Sequence, residues 1–494
     1  MNSFSLGIYQ LVVIISGFIT PLIMLKYYGS EMNGLISSIS QFIIYFNLVE
    51  AGLSGAAIYA LYKPLANKDT KGINTIVSAA KIFYYQAGYI FITLTIGLAI
   101  AYPLLIKSEV ISSSSIFFLI LIIGVNGTLE FFTLAKYRVL LTADQLTYVI
   151  SYASLVHIII NTVIVVILGS MSIDIVILKL VALISIFSRS IILMFYVRKK
   201  YTYINFNEKP NFDALNQRWD ALYLQILGAI QVGAPIVILT IMTKDLVIVS
   251  IFTVFQMVVV GLNGLLRIFY SGLSSSFGNV IANKELSTLQ KAYNEFELAY
   301  YMILSLFFVV AFIMIMPFIE IYTDGIDDAN YYLPVLGFLV VLNGLFYNLK
   351  NPQGMLIMAA GMFKETRVQT TIQGLITVAL GIILTYYFGI YGVVLASIIA
   401  NIYRCIDLLF FASNRITFLP IIISFKRIIN VLISITIIYC LSTLINIQVN
   451  SYYDWFITSF LIAIFATICI MILNYFLDKK TFIFTIKRIK GLFN

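Results

Sequence analysis

The sequence predicts an all-α polytopic membrane protein of about fourteen transmembrane helices, arranged as two parallel six-helix lobes followed by a C-terminal helix pair. Three observations lead there. Of 494 residues, 61% are apolar and 11% charged, which leaves too little polar surface for a soluble protein of this size. Apolar runs of about 20 residues, the length a helix needs to cross the hydrocarbon core, recur down the whole chain. Finally, one short text occurs twice: Ala66-Asn67-Lys68-Asp69 returns as Ala282-Asn283-Lys284-Glu285, and at the same offset Tyr84-Tyr85 returns as Tyr300-Tyr301.

The apolar runs fall near 5–25, 34–60, 82–105, 114–135, 147–168 and 173–197 in the first copy. They fall near 219–243, 246–270, 296–318, 332–360, 368–388 and 391–412 in the second, and 428–446 and 454–476 follow. Two looser echoes support the duplication: Pro21 in the first span matches Pro235 in the seventh, and Arg189 in the sixth matches Arg404 in the twelfth, each close to the same offset. An even number of spans per copy makes both enter the membrane in the same sense, so the repeats are parallel and any cavity is expected on the axis between them. The domains read as an N-terminal lobe over 1–197, a polar linker over 198–218, a C-terminal lobe over 219–412, and a final pair with a basic tail over 413–494. The first span lacks a basic leader and a small-residue cleavage site, and reads as a retained helix.

Lysine and arginine set the expected orientation, because cytoplasmic loops carry the excess. With the N-terminus inside, the inner loops and tail hold 23 of them, whereas the outer loops hold only Lys26, Lys107 and Lys244 and collect Glu320, Asp324, Asp327 and Asp328. Both termini are therefore expected to be cytoplasmic. The net charge of +9 is then mostly topology and requires no nucleic-acid partner. The polar stretches 62–81 and 271–295, which hold the repeated tetrapeptide, read as short amphipathic helices at the inner surface. Lys350-Asn351-Pro352-Gln353-Gly354 is expected to break the tenth span, and Pro21 and Pro235 to kink the first and seventh. The cysteines Cys405, Cys440 and Cys469 show no paired spacing, so no metal cluster or disulfide framework is expected.

Eight ionisable groups are read at membrane depth, where each costs at least about 2.5 to 3.5 kcal/mol on insertion scales. They are Glu50, Glu130, Lys179, Arg189, Arg267, Lys350, Arg404 and Asp407, five cations against three anions. Arg404 and Asp407 stand three apart on one helix face and are close enough to pair. Arg189 has Ile192 at that position, so its partner must come from another helix, from the lipid surface or from a ligand. Glu50 and Arg267 correspond closely under the repeat, which makes them either a gate across the cavity or a permanent salt bridge. Lys350 stands beside the predicted break with Asn343 two turns earlier. Arg189, Lys350, Lys179 and Arg267 are the candidate ligands for a substrate bearing phosphate, because a net positive lining suits phosphate better than an organic cation. Glu50, Arg267, Glu130, Arg404 and Asp407 are candidates for gating or ion coupling. His157, alone in the fifth span, reads as a core hydrogen-bonder.

Several strings resemble the bacterial polysaccharide-export flippases of the multidrug/oligosaccharidyl-lipid/polysaccharide superfamily, over roughly residues 1–480. They are Asn33-Gly34-Leu35 with Ser37-Ser38-Ile39-Ser40-Gln41-Phe42, Leu48-Val49-Glu50-Ala51-Gly52-Leu53, Tyr62-Lys63-Pro64-Leu65-Ala66, Leu141-Thr142-Ala143-Asp144-Gln145, Ser276-Phe277-Gly278-Asn279 and Ala360-Gly361-Met362-Phe363-Lys364-Glu365-Thr366. The resemblance implies a MATE-like fold. It implies inner-to-outer-leaflet movement of undecaprenyl-diphosphate-linked oligosaccharide by alternating access, with that glycan, membrane lipids and polysaccharide polymerase machinery as partners. No cofactor is expected; coupling to a proton or sodium gradient is compatible with the sequence but not specified by it. No GxxxxGK[ST] run is present to bind nucleotide phosphates, and no catalytic constellation stands out, so an enzyme is not expected. A drug/cation antiporter, a flippase for lipid-linked peptidoglycan precursors and a scaffolding subunit of an assembly complex remain as alternatives.

Overall fold

Helices account for the architecture of the computed structural model, which describes residues 2–50, 53–212, 215, 218–271, 273–444 and 448–491 and shows no strand among them. The chain opens with α1 (Asn2–Phe46), a 3₁₀ turn (Asn47–Glu50), α2 (Leu53–Ala66) and α3 (Thr70–Leu105). Next come α4 (Ser113–Leu129), a π-turn (Glu130–Leu134), α5 (Ala135–Ala143), α6 (Thr147–Ser170), α7 (Ile175–Ala182) and α8 (Ile184–Lys200). The second half holds α9 (Arg218–Thr243), α10 (Leu246–Ser271), α11 (Ser274–Ala282), α12 (Leu286–Tyr322), α13 (Pro334–Leu349), α14 (Asn351–Ala360), α15 (Arg367–Phe388) and α16 (Ile390–Ala412). A π-turn (Ser413–Thr417), α17 (Ile421–Ser442), α18 (Tyr452–Leu477) and α19 (Lys479–Gly491) close it.

Among the described residues, twelve stretches are long and apolar enough to cross a membrane. Two of the fourteen expected crossings are hidden in that number. The 62-residue stretch Ser5–Ala66 is about three times the length one crossing needs. It is broken at Gly29, whose φ of 84° is open to glycine and strained for other residues. The tenth span is split at Lys350 into α13 and α14, each too short to count alone.

The first unit comprises residues 1–253 and the second 254–494. The first extends past the polar linker for a visible reason. Asn33 donates to Ser250 across 2.8 Å, and Ser38 lies 2.9 Å from the hydroxyls of both Tyr102 and Thr240, so α1 binds α3, α9 and the start of α10. Interhelical bonds of this kind in a membrane are worth about 0.6 kcal/mol each and at most about 1.7. At Gly34 the helices touch backbone to backbone: a Cβ there would stand 1.8 Å from the Leu246 carbonyl oxygen. Much of the linker is also structure. Asn74 donates to the Tyr203 carbonyl and accepts from the Asn205 amide, and Asn211 donates its amide to Thr75, so residues 201–211 are strapped along α3. Residues 213, 214, 216 and 217 of the linker, and Ala51-Gly52 of the resembling strings, lie outside the described residues.

The repeated tetrapeptide is a helix-to-helix turn. In both copies the lysine takes a left-handed conformation, φ 54° at Lys68 and 56° at Lys284, and the next amide reaches back into the preceding helix, Asp69 to the Pro64 carbonyl and Glu285 to that of Val280. The copies then differ, since Asp69 caps α3 by accepting from the Gly72 amide at 2.9 Å and Glu285 makes no such cap. This corrects the expected pair of surface helices. Residues 62–81 are the end of α2 and the start of α3, and only the second copy has a separate short helix, α11. Another resembling string plays a comparable part: Gln145 is left-handed at φ 59°, and Asp144 before it accepts from Lys200 at 2.9 Å and from the Tyr201 hydroxyl at 2.5 Å. Burial first, and then that hydrogen bond to the carboxylate, raise the Tyr201 hydroxyl above its ordinary pKa.

Of the expected proline breaks, the one in the tenth span occurs. Pro352 has no N–H for the Asn348 carbonyl, which accepts instead from the Tyr300 hydroxyl at 3.4 Å, and the neighbouring Leu349 carbonyl accepts from Tyr301 at 3.0 Å. Pro21 and Pro235 sit inside α1 and α9 without ending them, because the loss of one backbone bond is tolerated where the rest of the helix stays paired.

Gly34→Ala is expected to destabilise the protein by about 1–3 kcal/mol through overpacking against the α10 backbone. Gly97→Ala, with nothing within 4 Å, should be neutral or slightly stabilising through helix propensity. Thermal unfolding in detergent micelles checks both.

Candidate functional site

In the first unit, four charged side chains form one chain. Its organiser is the π-turn Glu130–Leu134, which inserts one residue into the fourth span. In a regular helix, residues eight apart are rotated by about 80°; with one residue added, a spacing of eight behaves as a spacing of seven and restores a common face. Glu130 and Arg138 therefore lie on one side, with Arg138 Nη1 2.6 Å from Glu130 Oε1. The other arm of the guanidinium, Nη2, reaches Glu50 Oε1 at 2.5 Å. Arg189 on α8 completes the chain, 3.7 Å from Glu130.

These contacts answer two expectations. Arg189 finds its counter-charge on another helix, at Glu130. Glu50, considered above as a partner of Arg267, is paired within its own unit, from the 3₁₀ turn at which the expected second span is interrupted. By sequence Arg138 belongs to an inner loop, because the apolar run stops at 135; the added residue of the π-turn carries it back among the helices, and no periodicity in the sequence marks that turn. Two atoms of the chain stay without a hydrogen-bond partner, Glu50 Oε2 and Arg189 Nε, both buried. Lys179 on α7 is half-buried, with no ion pair among the described residues. His157 leaves Nδ1 unpartnered on α6.

In the second unit the charges are handled differently. Lys350 is 8% exposed and has no carboxylate partner among the described residues. Its ammonium donates to Asn401 Oδ1 at 2.8 Å and lies 4.7 Å from the centre of the Tyr347 ring. Asn401 is held in turn, donating to Asn343 at 2.9 Å and accepting from Gln373 at 3.3 Å. Helical spacing puts Asn343 on the face of Lys350, and the two meet through Asn401. One helical turn after Asn401, Arg404 pairs with Asp407 at 2.5 Å. Arg267 on α10 is exposed, with no ion pair among the described residues.

A further carboxylate, Glu297, lies just inside the ninth span and is not one of the eight groups expected at membrane depth. It is fully buried, accepts from Tyr293 at 2.8 Å and from Gln353 at 2.9 Å, and pairs with Arg427 at 2.7 Å. Arg427 also pairs with Asp478 at 2.9 Å, so this cluster joins α12 and α14 to the final helices. Its signal in the sequence is weak, since Glu297 and Arg427 stand far apart in the chain, each at the edge of its apolar run. Among the described residues no group of three His, Cys, Asp or Glu side chains is placed to hold a metal ion.

Solved structures place this arrangement of helices. The chain has the fold of the MATE transporters and of the lipid II flippase MurJ. An inward-closed structure of MurJ matches over 95% of this chain and 98% of its own, with a TM-score of 0.69 and 16% identity. An inward-facing multidrug resistance MATE transporter of the MOP superfamily matches over 84% and 98%, at 0.67 and 15%. A structure of the MATE multidrug transporter DinF-BH matches over 85% and 96%, at 0.61 and 14%. No family model matches the sequence, and no curated protein does.

Arg138→Met strands Glu50, leaves Glu130 with only the longer Arg189 contact of 3.7 Å, and is expected to cost about 3–5 kcal/mol of stability. Adding Glu50→Gln, which removes the stranded charge and leaves the Glu130–Arg189 pair in place, should recover most of it, read as the shift in thermal unfolding. An Arg138→Met protein as stable as the wild type would show that the charge chain does not support the fold.

Proposed function

We propose that the protein is a multi-pass carrier of the bacterial cytoplasmic membrane, with both termini inside, that moves an undecaprenyl-diphosphate-linked oligosaccharide from the inner to the outer leaflet by alternating access. The observation that carries this reading is Lys350. It is a buried cation at a helix break, held by amides and an aromatic ring in place of a carboxylate. A membrane protein tolerates an uncompensated ammonium at such depth where a ligand's negative charge completes it. The oligosaccharide part rests on the resembling sequence strings quoted above.

The mid-span carboxylates support the same choice. Glu50, Glu130, Asp407 and Glu297 are all held by arginines, so among the described residues none of these four is left to meet an organic cation. The extent of the structural likeness is in keeping with it. The MATE structures match 84 to 88% of this chain, whereas the lipid II flippase matches 95%. Of the four candidate residues for the diphosphate, Lys350 has the strongest case. Arg189 is engaged by Glu130, and Arg267 and Lys179 contribute charge without a built environment.

In a strain lacking the gene, the wild type is expected to restore surface polysaccharide. Lys350→Ala at equal protein level should reduce it at least tenfold, with lipid-linked repeat units accumulating inside the cell, and Lys350→Arg should retain part of the activity. Full restoration by Lys350→Ala would remove the site. A deletion strain with normal polysaccharide and raised drug sensitivity would favour a cation antiporter.

A further inference from the structure

We infer that the C-terminal helix pair, for which the duplicated lobes offer no counterpart, builds a binding site for the phosphate headgroup of a membrane lipid. The inference does not rest on the transport reading. Its basis is a cavity of about 590 Å³ enclosed by the start of α12, α17, α18 and α19. Lys291, Lys426 and Lys480 line it, from three different helices. The remaining charges of the lining are already engaged: Asp478 by Arg427 at 2.9 Å, and Glu295 by Arg488 at 2.7 Å. No carboxylate pairs with any of the three lysines among the described residues; Lys291 only approaches the Phe484 ring, at 5.9 Å. The cavity therefore carries an unbalanced positive charge.

The wall beneath the lysines is polar and fixed. Asn430 donates to Asn474 at 2.9 Å, Asn474 donates to the Ile470 carbonyl at 2.8 Å, and both asparagines are buried. Arg427 is locked by Glu297, Asp478 and Asn294 and adds a rigid side to the cavity. Lysines that served only to enforce topology would need neither convergence on one cavity nor a built polar wall.

Two features favour a lipid over a soluble anion. The same cavity is bordered by Leu477 and Phe484, which are 61% and 48% exposed and offer an apolar margin for acyl chains. It also lies at the end of the spans where lysine and arginine are concentrated, the side on which basic pockets between membrane helices meet anionic headgroups. The shared chemistry is a phosphate ester at the membrane surface. A resident phospholipid and an isoprenoid diphosphate both provide it.

The test uses the full-length protein in detergent and native mass spectrometry with four probes: dioleoylphosphatidylglycerol, undecaprenyl diphosphate, neutral dioleoylglycerol and inorganic pyrophosphate. A lysine near an anionic surface contributes on the order of fivefold in binding. The variant Lys291→Gln/Lys426→Gln/Lys480→Gln is therefore expected to retain the phosphate lipids at least about tenfold less than the wild type. The control Lys63→Gln/Lys71→Gln/Lys199→Gln, exposed lysines of the first unit, should retain them unchanged. All six positions are at the surface, so thermal unfolding should be unaffected in both variants. A preference for undecaprenyl diphosphate identifies the isoprenoid as the source, and equal retention of the two phosphate lipids identifies resident phospholipid. Equal binding by the triple variant, an equal loss in the control, equal retention of dioleoylglycerol, or capture of pyrophosphate in place of lipid would each overturn the assignment.

Discussion

Hydrocarbon offers no water to a carbonyl freed by a helix break or to a charge carried into the bilayer, so the break in the tenth span and most of the buried charges of this chain depend on side chains from neighbouring helices. The break in the tenth span persists because Tyr300 and Tyr301 stand opposite the carbonyls that the break around Pro352 releases. Arg138 lies among the helices because a π-turn aims it at two carboxylates. Glu297 is buried because three donors reach it, from its own helix, from α14 and from α17. The irregular positions of the fold are the positions where partners exist.

The duplication makes the difference between the two units informative. The repeated tetrapeptide forms the same left-handed turn in both, and of the tyrosine pairs that follow it Tyr84 and Tyr300 are buried alike. The charges diverge. In the first unit two arginines and two glutamates alternate and cancel. In the second, Lys350 stands among Asn343, Asn401 and Gln373, whose amides orient an ammonium without neutralising it. The two copies thus share the turn that the repeated tetrapeptide makes and differ in how their buried charges are met.

Charge also organises the appended helices. Arg427 binds them to α12 through Glu297 and to the α18–α19 junction through Asp478, which leaves the lysines around that cluster without acidic partners. The pair is therefore tied to the second lobe by a buried ion pair as well as by apolar packing. The polar cavity follows from that attachment.

Much of the architecture was legible because the bilayer imposes one length and one polarity on every crossing. Fourteen apolar runs, the repeated tetrapeptide, the break at Lys350 and the local Arg404–Asp407 pair all follow from spacing along the chain or from composition. What the sequence alone could not determine was partnership between helices. Arg138 reads as a loop cation until a π-turn adds its extra residue. The Glu50 carboxylate has several cations to choose from until the fold brings one within 2.5 Å. Glu297 and Arg427 lie at the margins of their runs, remote from each other along the chain. Periodicity records which side of a helix is apolar and carries no information about what the opposite helix presents, so the crossings were determined by the sequence and the pairing of the charges was decided by the tertiary structure.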